Sequence, residues 1–151
     1  ADCRPIENAD IEIWHTDHRG IYSGREAAQM CTLGDAEAIS GLAFRGRQLT
    51  DENGQASFLT AYPGWYQGRT PHVHCRILVE GKELLVSQIY FDDTLSDIIY
   101  GEHPDYLGRP ARDTRNDEDG IIPEDAADHI FDFEKLDGGV LSATITIGLS
   151  V

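Results

Sequence analysis

The sequence predicts an all-β fold, an antiparallel β-sandwich with long loops and one or two short helices. Several short stretches alternate between apolar and polar residues, as half-buried strands do. Turn-forming dipeptides such as Asn53-Gly54 separate these stretches, and little of the chain has helical character. Because 151 residues are the size of one ordinary domain, we expect a single domain over residues 1–151.

The first half of the chain begins with a predicted strand at residues 11–14, where apolar and polar residues alternate. Residues 25–42 have no clear period and are expected to form an irregular surface connection. Residues 48–50 and 56–59 are predicted to pair as a hairpin, because Asn53-Gly54 suits the positive φ angles of a tight turn.

The second half contains a second predicted hairpin, in which residues 72–79 and 84–91 pair across the turn Glu80-Gly81-Lys82. Residues 141–151 alternate cleanly and are predicted to be the closing strand. Short helical pieces are expected at residues 95–100 and 123–129. The loop at residues 112–120 is judged too charged to be buried.

The formal charge is −15, from 27 acidic and 12 basic residues. A surface this acidic repels phosphate groups, so nucleic acid and anionic membranes are poor partners. No apolar run reaches membrane-spanning length, and the N-terminus lacks a signal-peptide pattern. The protein is therefore expected to be cytosolic, or to have lost its signal before residue 1.

The three cysteines do not indicate whether the protein belongs in a reducing or an oxidising compartment. Cys75 follows His74 on a predicted strand, so its thiol is expected to face the core. Cys3 and Cys31 could form a disulfide or stay reduced, and a disulfide would indicate an oxidising compartment.

The segment from Tyr66 to His74 holds the most informative residues. His72 and His74 are two residues apart on a predicted strand, so their imidazoles share a face. Two convergent imidazoles are a common start of a transition-metal site. The phenol of Tyr66 would add a hard oxygen donor suited to ferric iron. Arg69 comes from the same loop, and Gln88 lies near the pair on the partner strand.

Two other metal arrangements have less support. His15, Asp17 and His18 form a second cluster, which is interpreted as a solvated turn. A zinc-type site would need a carboxylate beside His72 and His74, and nothing in the sequence selects Asp92 or Asp93 for this role.

Five separated elements together resemble the intradiol ring-cleavage dioxygenases. Their order and spacing are more specific than any one element, and they extend from about residue 11 to residue 91. The elements are Ile13-Trp14-His15 with Gly20-Ile21-Tyr22-Ser23, Thr50-Asp51 with Gly54, Pro63-Gly64-Trp65-Tyr66, Arg69-Thr70-Pro71-His72-Val73-His74, and Ser87-Gln88-Ile89-Tyr90-Phe91.

The resemblance implies a mononuclear non-haem Fe(III) held by Tyr22, Tyr66, His72 and His74. By the same analogy, Tyr66 and His74 would be axial ligands, and Tyr66 would leave the iron when substrate arrives. The implied reaction is O2-dependent cleavage of a catechol-type aromatic to a muconate-type diacid. The implied catalytic residues are Tyr66, Arg69 and Gln88, with Arg69 stabilising negative charge on the ring.

The short segment between Tyr66 and His72 resembles a compact, often secreted bacterial branch of the family, so an extracellular location is expected, with the cytoplasm as the alternative. No counterpart of the family's helical dimerisation arm is seen. The oligomeric state is therefore left open, and a monomer is compatible with the sequence. The alternative function is a transthyretin-like β-sandwich that binds partners without catalysis.

Overall fold

A computed structural model describes residues 3–24, 29–123 and 126–150. In these residues, mostly antiparallel strands are joined by long loops and short helices, as predicted. The strands are β1 (Asp10–Trp14), β2 (Arg45–Leu49), β3 (His72–Val79), β4 (Lys82–Tyr90), β5 (Asp132–Lys135) and β6 (Leu141–Thr144). The α-helices are α1 (Gln29–Thr32), α2 (Ala36–Ser40) and α3 (Asp93–Glu102), and 3₁₀ helices occur at Ala126–His129 and Asp137–Gly139.

The main sheet has the strand order β2-β1-β3-β4, with every neighbouring pair antiparallel. The predicted β3–β4 hairpin is confirmed, with Glu80 and Gly81 both at positive φ in its turn. A separate two-stranded sheet consists of β5 and β6. The expected strand at residues 11–14 is confirmed as part of β1.

The two faces of the main sheet have different environments. One face carries Cys75, Ile77 and Ile89, which pack with Ala9 into the buried core. Apolar side chains from residues 145–149 cover this cluster, so the end of the chain supplies the second layer. Because neighbouring residues on a strand point to opposite faces, the same register places His72 and His74 on the other face.

The prediction of a hairpin over residues 48–59 is wrong. The turn itself forms, because the Asp51 carboxylate accepts hydrogen bonds from the backbone N–H groups of Asn53 and Gln55. The strand before the turn, β2, pairs with β1 and not with residues 56–59, which form no strand. Phe58 instead lies against Gly46, where the missing side chain leaves room for its ring.

Several element boundaries also differ from prediction. The expected irregular region at 25–42 contains α1 and α2, while residues 25–28 fall outside the described part of the chain. The helix at 95–100 is confirmed within a longer α3, whose N-terminus is capped by the Asp92 carboxylate. The closing strand is shorter than predicted, since β6 ends at Thr144 although the apolar alternation continues.

The loop at 112–120 is not fully solvated, contrary to prediction. The Arg112 side chain is only 4% exposed, and it forms ion pairs with Asp93 and Asp97 of α3. The Asp119 side chain is fully buried against Arg69. Charged groups can be buried when they are paired with opposite charges, which counting the charges of the loop alone does not reveal.

The cysteines have free thiols in the structure, so the possible Cys3–Cys31 disulfide is not formed. Cys75 is buried in the core, as expected. No helix in the described ranges has the length and apolar character needed to cross a membrane. The extracellular location and the oligomeric state remain predictions.

His15 is buried and does not form the solvated turn that the sequence suggested. Its Nδ1–H donates to the Thr16 carbonyl at 2.7 Å, and its Nε2 accepts from the Thr60 hydroxyl at 2.7 Å. Burial lowers the pKa of His15 below its ordinary value of 6.5, and the bond to Thr16 offsets this only in part. The imidazole is therefore a neutral structural group.

This burial predicts a pH-dependent stability. A lowered folded-state pKa means that the contribution of His15 is complete above about pH 6.5 and is lost as the pH falls further. The free energy of unfolding should therefore fall less between pH 7.5 and 5.5 in His15→Gln than in wild type. Chemical denaturation at both pH values measures it, with the exposed His103→Gln as control. Parallel pH curves for wild type and His15→Gln would contradict this prediction.

Candidate metal centre

The six predicted site residues come from four parts of the fold. His72 and His74 lie on β3, and Gln88 lies on β4 directly opposite His74, as expected. Tyr22 lies in the connection after β1. Tyr66 and Arg69 lie in the loop before β3, where their backbones pair across a tight turn. The structure brings all six side chains together.

Four potential ligand atoms converge on one point. The Tyr22 hydroxyl oxygen lies 3.0 Å from Nε2 of both His72 and His74. The Tyr66 hydroxyl oxygen lies 3.3 Å from Nε2 of His72. Ligand bonds of about 2.0–2.1 Å around one metal ion put neighbouring donor atoms about 3 Å apart. The observed spacing therefore fits a set of two phenols and two imidazoles sharing one cation.

The two histidine rings are held in place by contacts away from this point. His72 Nδ1–H donates to the Thr70 carbonyl at 2.7 Å, which leaves the lone pair of Nε2 directed at the centre. The His74 ring stacks on Trp14, with centroids 4.8 Å apart and planes within 2° of parallel. Both rings are thus oriented by contacts with the protein itself.

Burial sets the protonation of the candidate ligands. It lowers the pKa of His72 to about 3 and that of His74 to about 4, and the charge of Arg69 adds to both shifts. Both imidazoles are therefore neutral, as metal ligands must be. Burial also raises the pKa values of Tyr22 and Tyr66 above their ordinary value of 10.0. Their phenolates would need a strongly acidic cation beside them.

Tyr66 is positioned by close backbone packing around the Pro63-Gly64 turn. A Cβ at Gly64 would lie 2.5–2.6 Å from the backbone of Asp17, His18 and Gly20, so only glycine fits. Arg109 stacks on Trp65 at 4.7 Å and donates to the Trp65 carbonyl. This contact fixes the segment that leads into Tyr66.

Arg69 connects the ligand cluster to Gln88. Its Nη1 donates to the Tyr66 hydroxyl oxygen at 3.3 Å, and its Nη2 donates to the side-chain oxygen of Gln88. The Tyr90 hydroxyl also donates to this oxygen, at 3.1 Å. The Nε of Arg69 is bound by Asp119, a residue that the sequence did not indicate. Nothing local marks Asp119, since it is one of several acids in a charged loop.

The rival metal arrangements are not formed. Across the described residues, no three His, Cys, Asp or Glu side chains are grouped to hold a metal ion. Asp92 caps α3 and Asp93 pairs with Arg112, so neither of these carboxylates serves His72 and His74. Of the second cluster, His15 is buried in its own hydrogen bonds and Asp17 pairs with Arg19.

Comparison with known proteins gives consistent matches. A family model described as "Dioxygenase" matches residues 1–138. Catechol 1,2-dioxygenase of Acinetobacter baylyi is 30% identical over 107 residues, which cover 59% of this chain and 32% of that protein. Chlorocatechol 1,2-dioxygenase of Rhodococcus opacus is 28% identical over 107 residues, covering 58% and 38%. The chain thus spans about a third of the length of these curated relatives.

A solved structure is similar over nearly the whole chain. The intradiol ring-cleavage dioxygenase from Tetranychus urticae superimposes with a TM-score of 0.81 at 33% identity, covering 98% of this chain and 74% of that one. The all-β fold predicted from the sequence is confirmed by this match.

Proposed function

Because this chain belongs to the intradiol ring-cleavage dioxygenase family, we propose that it is an Fe(III)-dependent enzyme that cleaves catechol-type aromatics with O2 to muconate-type diacids. One observation carries the proposal: Tyr22, Tyr66, His72 and His74 direct four donor atoms at one point. Arg69 and Gln88 lie beside that point, where a bound ring would need polar partners.

The donor set suits ferric iron. Two phenolates are hard, anionic oxygen donors that neutralise much of a +3 charge, and two neutral imidazoles complete the set. Neither Tyr22 nor Tyr66 ionises readily in its buried surroundings, so binding of the ion would release their protons. Tyr22, Tyr66, His72 and His74 would hold the iron.

Iron held by these four residues would supply the Lewis acidity that activates a catechol-type ring toward O2. The Tyr66 oxygen can accept a proton from an incoming catechol, because it is the less buried phenol and already has Arg69 as a hydrogen-bond partner. The Arg69 guanidinium would stabilise negative charge that develops on the ring. Gln88, held by Arg69 and Tyr90, would orient the ring beside it.

We propose a broad substrate range. The segment between Tyr66 and His72 is short, so it leaves little to enclose a ring substituent. This feature supports acceptance of variously substituted catechols, including lignin-derived ones. The proposal predicts similar rates on catechol, protocatechuate and hydroxyquinol, and strict selectivity for one of them would contradict it.

Metal content and oxygen uptake test the proposed function together. Protein purified without chelators should contain one iron per chain and be reddish, from tyrosinate-to-Fe(III) charge transfer. It should consume one O2 per catechol and give the ring-opened diacid. A colourless, iron-free protein that consumes no oxygen with any of the three catechols would instead favour the non-catalytic binding module.

A further inference from the structure

Residues 112–121 form a segment that is tied to the fold beside the metal centre. Arg112 anchors its start through Asp93 and Asp97 of α3. The Asn116 side chain donates to the Phe91 carbonyl at 2.8 Å and accepts from the Thr70 hydroxyl at 2.7 Å. These hydrogen bonds hold the segment over the end of β4 and place Asp119 beside Arg69.

The Asp119 carboxylate is fully buried and surrounded by donors. Its oxygens accept from Arg69 Nε at 2.9 and 3.1 Å, from the Thr70 backbone N–H at 3.0 Å, and from the Ile121 backbone N–H at 3.0 Å. A group that meets only N–H donors acts purely as an acceptor, which is the behaviour of an ionised carboxylate.

These contacts leave the two terminal nitrogens of the Arg69 guanidinium directed at the site. Because Asp119 binds the Nε edge, the terminal nitrogens are free to donate to Tyr66 and Gln88. Burial alone would lower the pKa of Arg69, but the hydrogen bond to Asp119 and the proximity of Tyr66 raise it above its ordinary value. The guanidinium therefore stays charged although its side chain is only 12% exposed.

A second set of bonds leads from Asp119 to a metal-ligand candidate. Asp119 holds the backbone N–H of Thr70, a residue with no exposed surface. The carbonyl of Thr70 accepts from His72 Nδ1, which selects the tautomer with its lone pair on Nε2. The Asp119 carboxylate thus contacts both Arg69 and the Thr70 peptide that orients His72.

We propose that Asp119 is a positioning residue of this centre, which fixes the orientation of the Arg69 guanidinium and braces the Thr70 peptide that orients His72. Its effect on turnover depends on the proposed function. The orientation of Arg69 does not, because Asp119 contacts Arg69 directly through protein atoms alone.

The first test uses the metal-free protein. In wild type, NMR should show that the Nε–H of Arg69 exchanges with solvent at least tenfold more slowly than that of Arg47, which also donates to a carboxylate, that of Asp10, but is 69% exposed. Arg69→Gln would identify the resonance. Asp119→Asn should shift this resonance and remove the protection. The matched control is Asp117→Asn, an exposed acid on the same segment, which should change nothing. Equal exchange of Arg69 and Arg47 in wild type would overturn the proposal even if Asp119→Asn does not fold.

The second test uses the iron-loaded enzyme. Asp119→Asn should lower kcat about 10–100-fold while iron content stays at one per chain. In an Arg69→Gln background the same change should cause a smaller loss, because only its support of Thr70 and His72 remains to be removed. An equal loss in both backgrounds would show a general structural role and overturn the proposal. Absence of turnover in wild type would count against the proposed function alone, since the exchange measurement is independent of it.

Discussion

Replacing His72 with glutamine is expected to abolish stoichiometric metal binding. His72 Nε2 is the atom that lies close to both phenol oxygens, at 3.0 Å from Tyr22 and 3.3 Å from Tyr66. The variant loses the one lone pair that the Thr70 carbonyl has already directed at the centre. An amide is a far weaker donor to a ferric ion than an imidazole, so the remaining three ligands should not retain it.

Iron content and the visible absorption of the purified variant measure this effect. The reddish charge-transfer band should disappear along with the iron, and oxygen uptake with catechol should fall to background. His103→Gln is the matched control, because His103 is exposed at the end of α3 and contacts none of the four candidate ligands. If His72→Gln kept one iron per chain and the original band, this centre would not be the metal site.

The part of the site that follows from sequence is the part set by local geometry. Residues two apart on a strand share a face, so His72 and His74 had to converge once β3 was recognised. The β3–β4 turn then fixed the register that puts Gln88 opposite His74. The position of Tyr22 beside them depended on family resemblance, because no spacing rule joins residues 50 positions apart.

The parts that could not be predicted depend on pairing across the fold. Asp119 is buried because Arg69 neutralises it, and these two residues are 50 positions apart. His15 is buried because Thr60 satisfies its second nitrogen. The 48–59 hairpin was predicted wrongly for a similar reason, since the partner of β2 is β1, far away in the sequence, and not residues 56–59. The charge and turn patterns of a segment depend only on its own residues. Whether the segment is buried or paired depends on residues far away in the sequence.

The second large effect is expected from Arg69→Gln, which should reduce kcat by about 10²–10³-fold while the iron remains bound. Arg69 is not one of the four ligand candidates, but its guanidinium lies between Tyr66 and Gln88. A glutamine keeps a hydrogen-bond donor there and removes the positive charge. The loss therefore measures how much the charge stabilises the transition state.

The variant has a side effect that must be separated from this loss. Without Arg69, the buried Asp119 carboxylate has no countercharge, which should cost about 3–5 kcal/mol of stability. The double variant Arg69→Gln/Asp119→Asn removes both charges and should regain most of that stability. If the charge of Arg69 acts on the reaction, turnover stays low in the double variant although the fold is restored. Recovery of turnover together with stability would instead mean that Arg69 only supports the structure. Arg47→Gln breaks an exposed ion pair with Asp10, so it should leave turnover unchanged and lower stability far less than Arg69→Gln does.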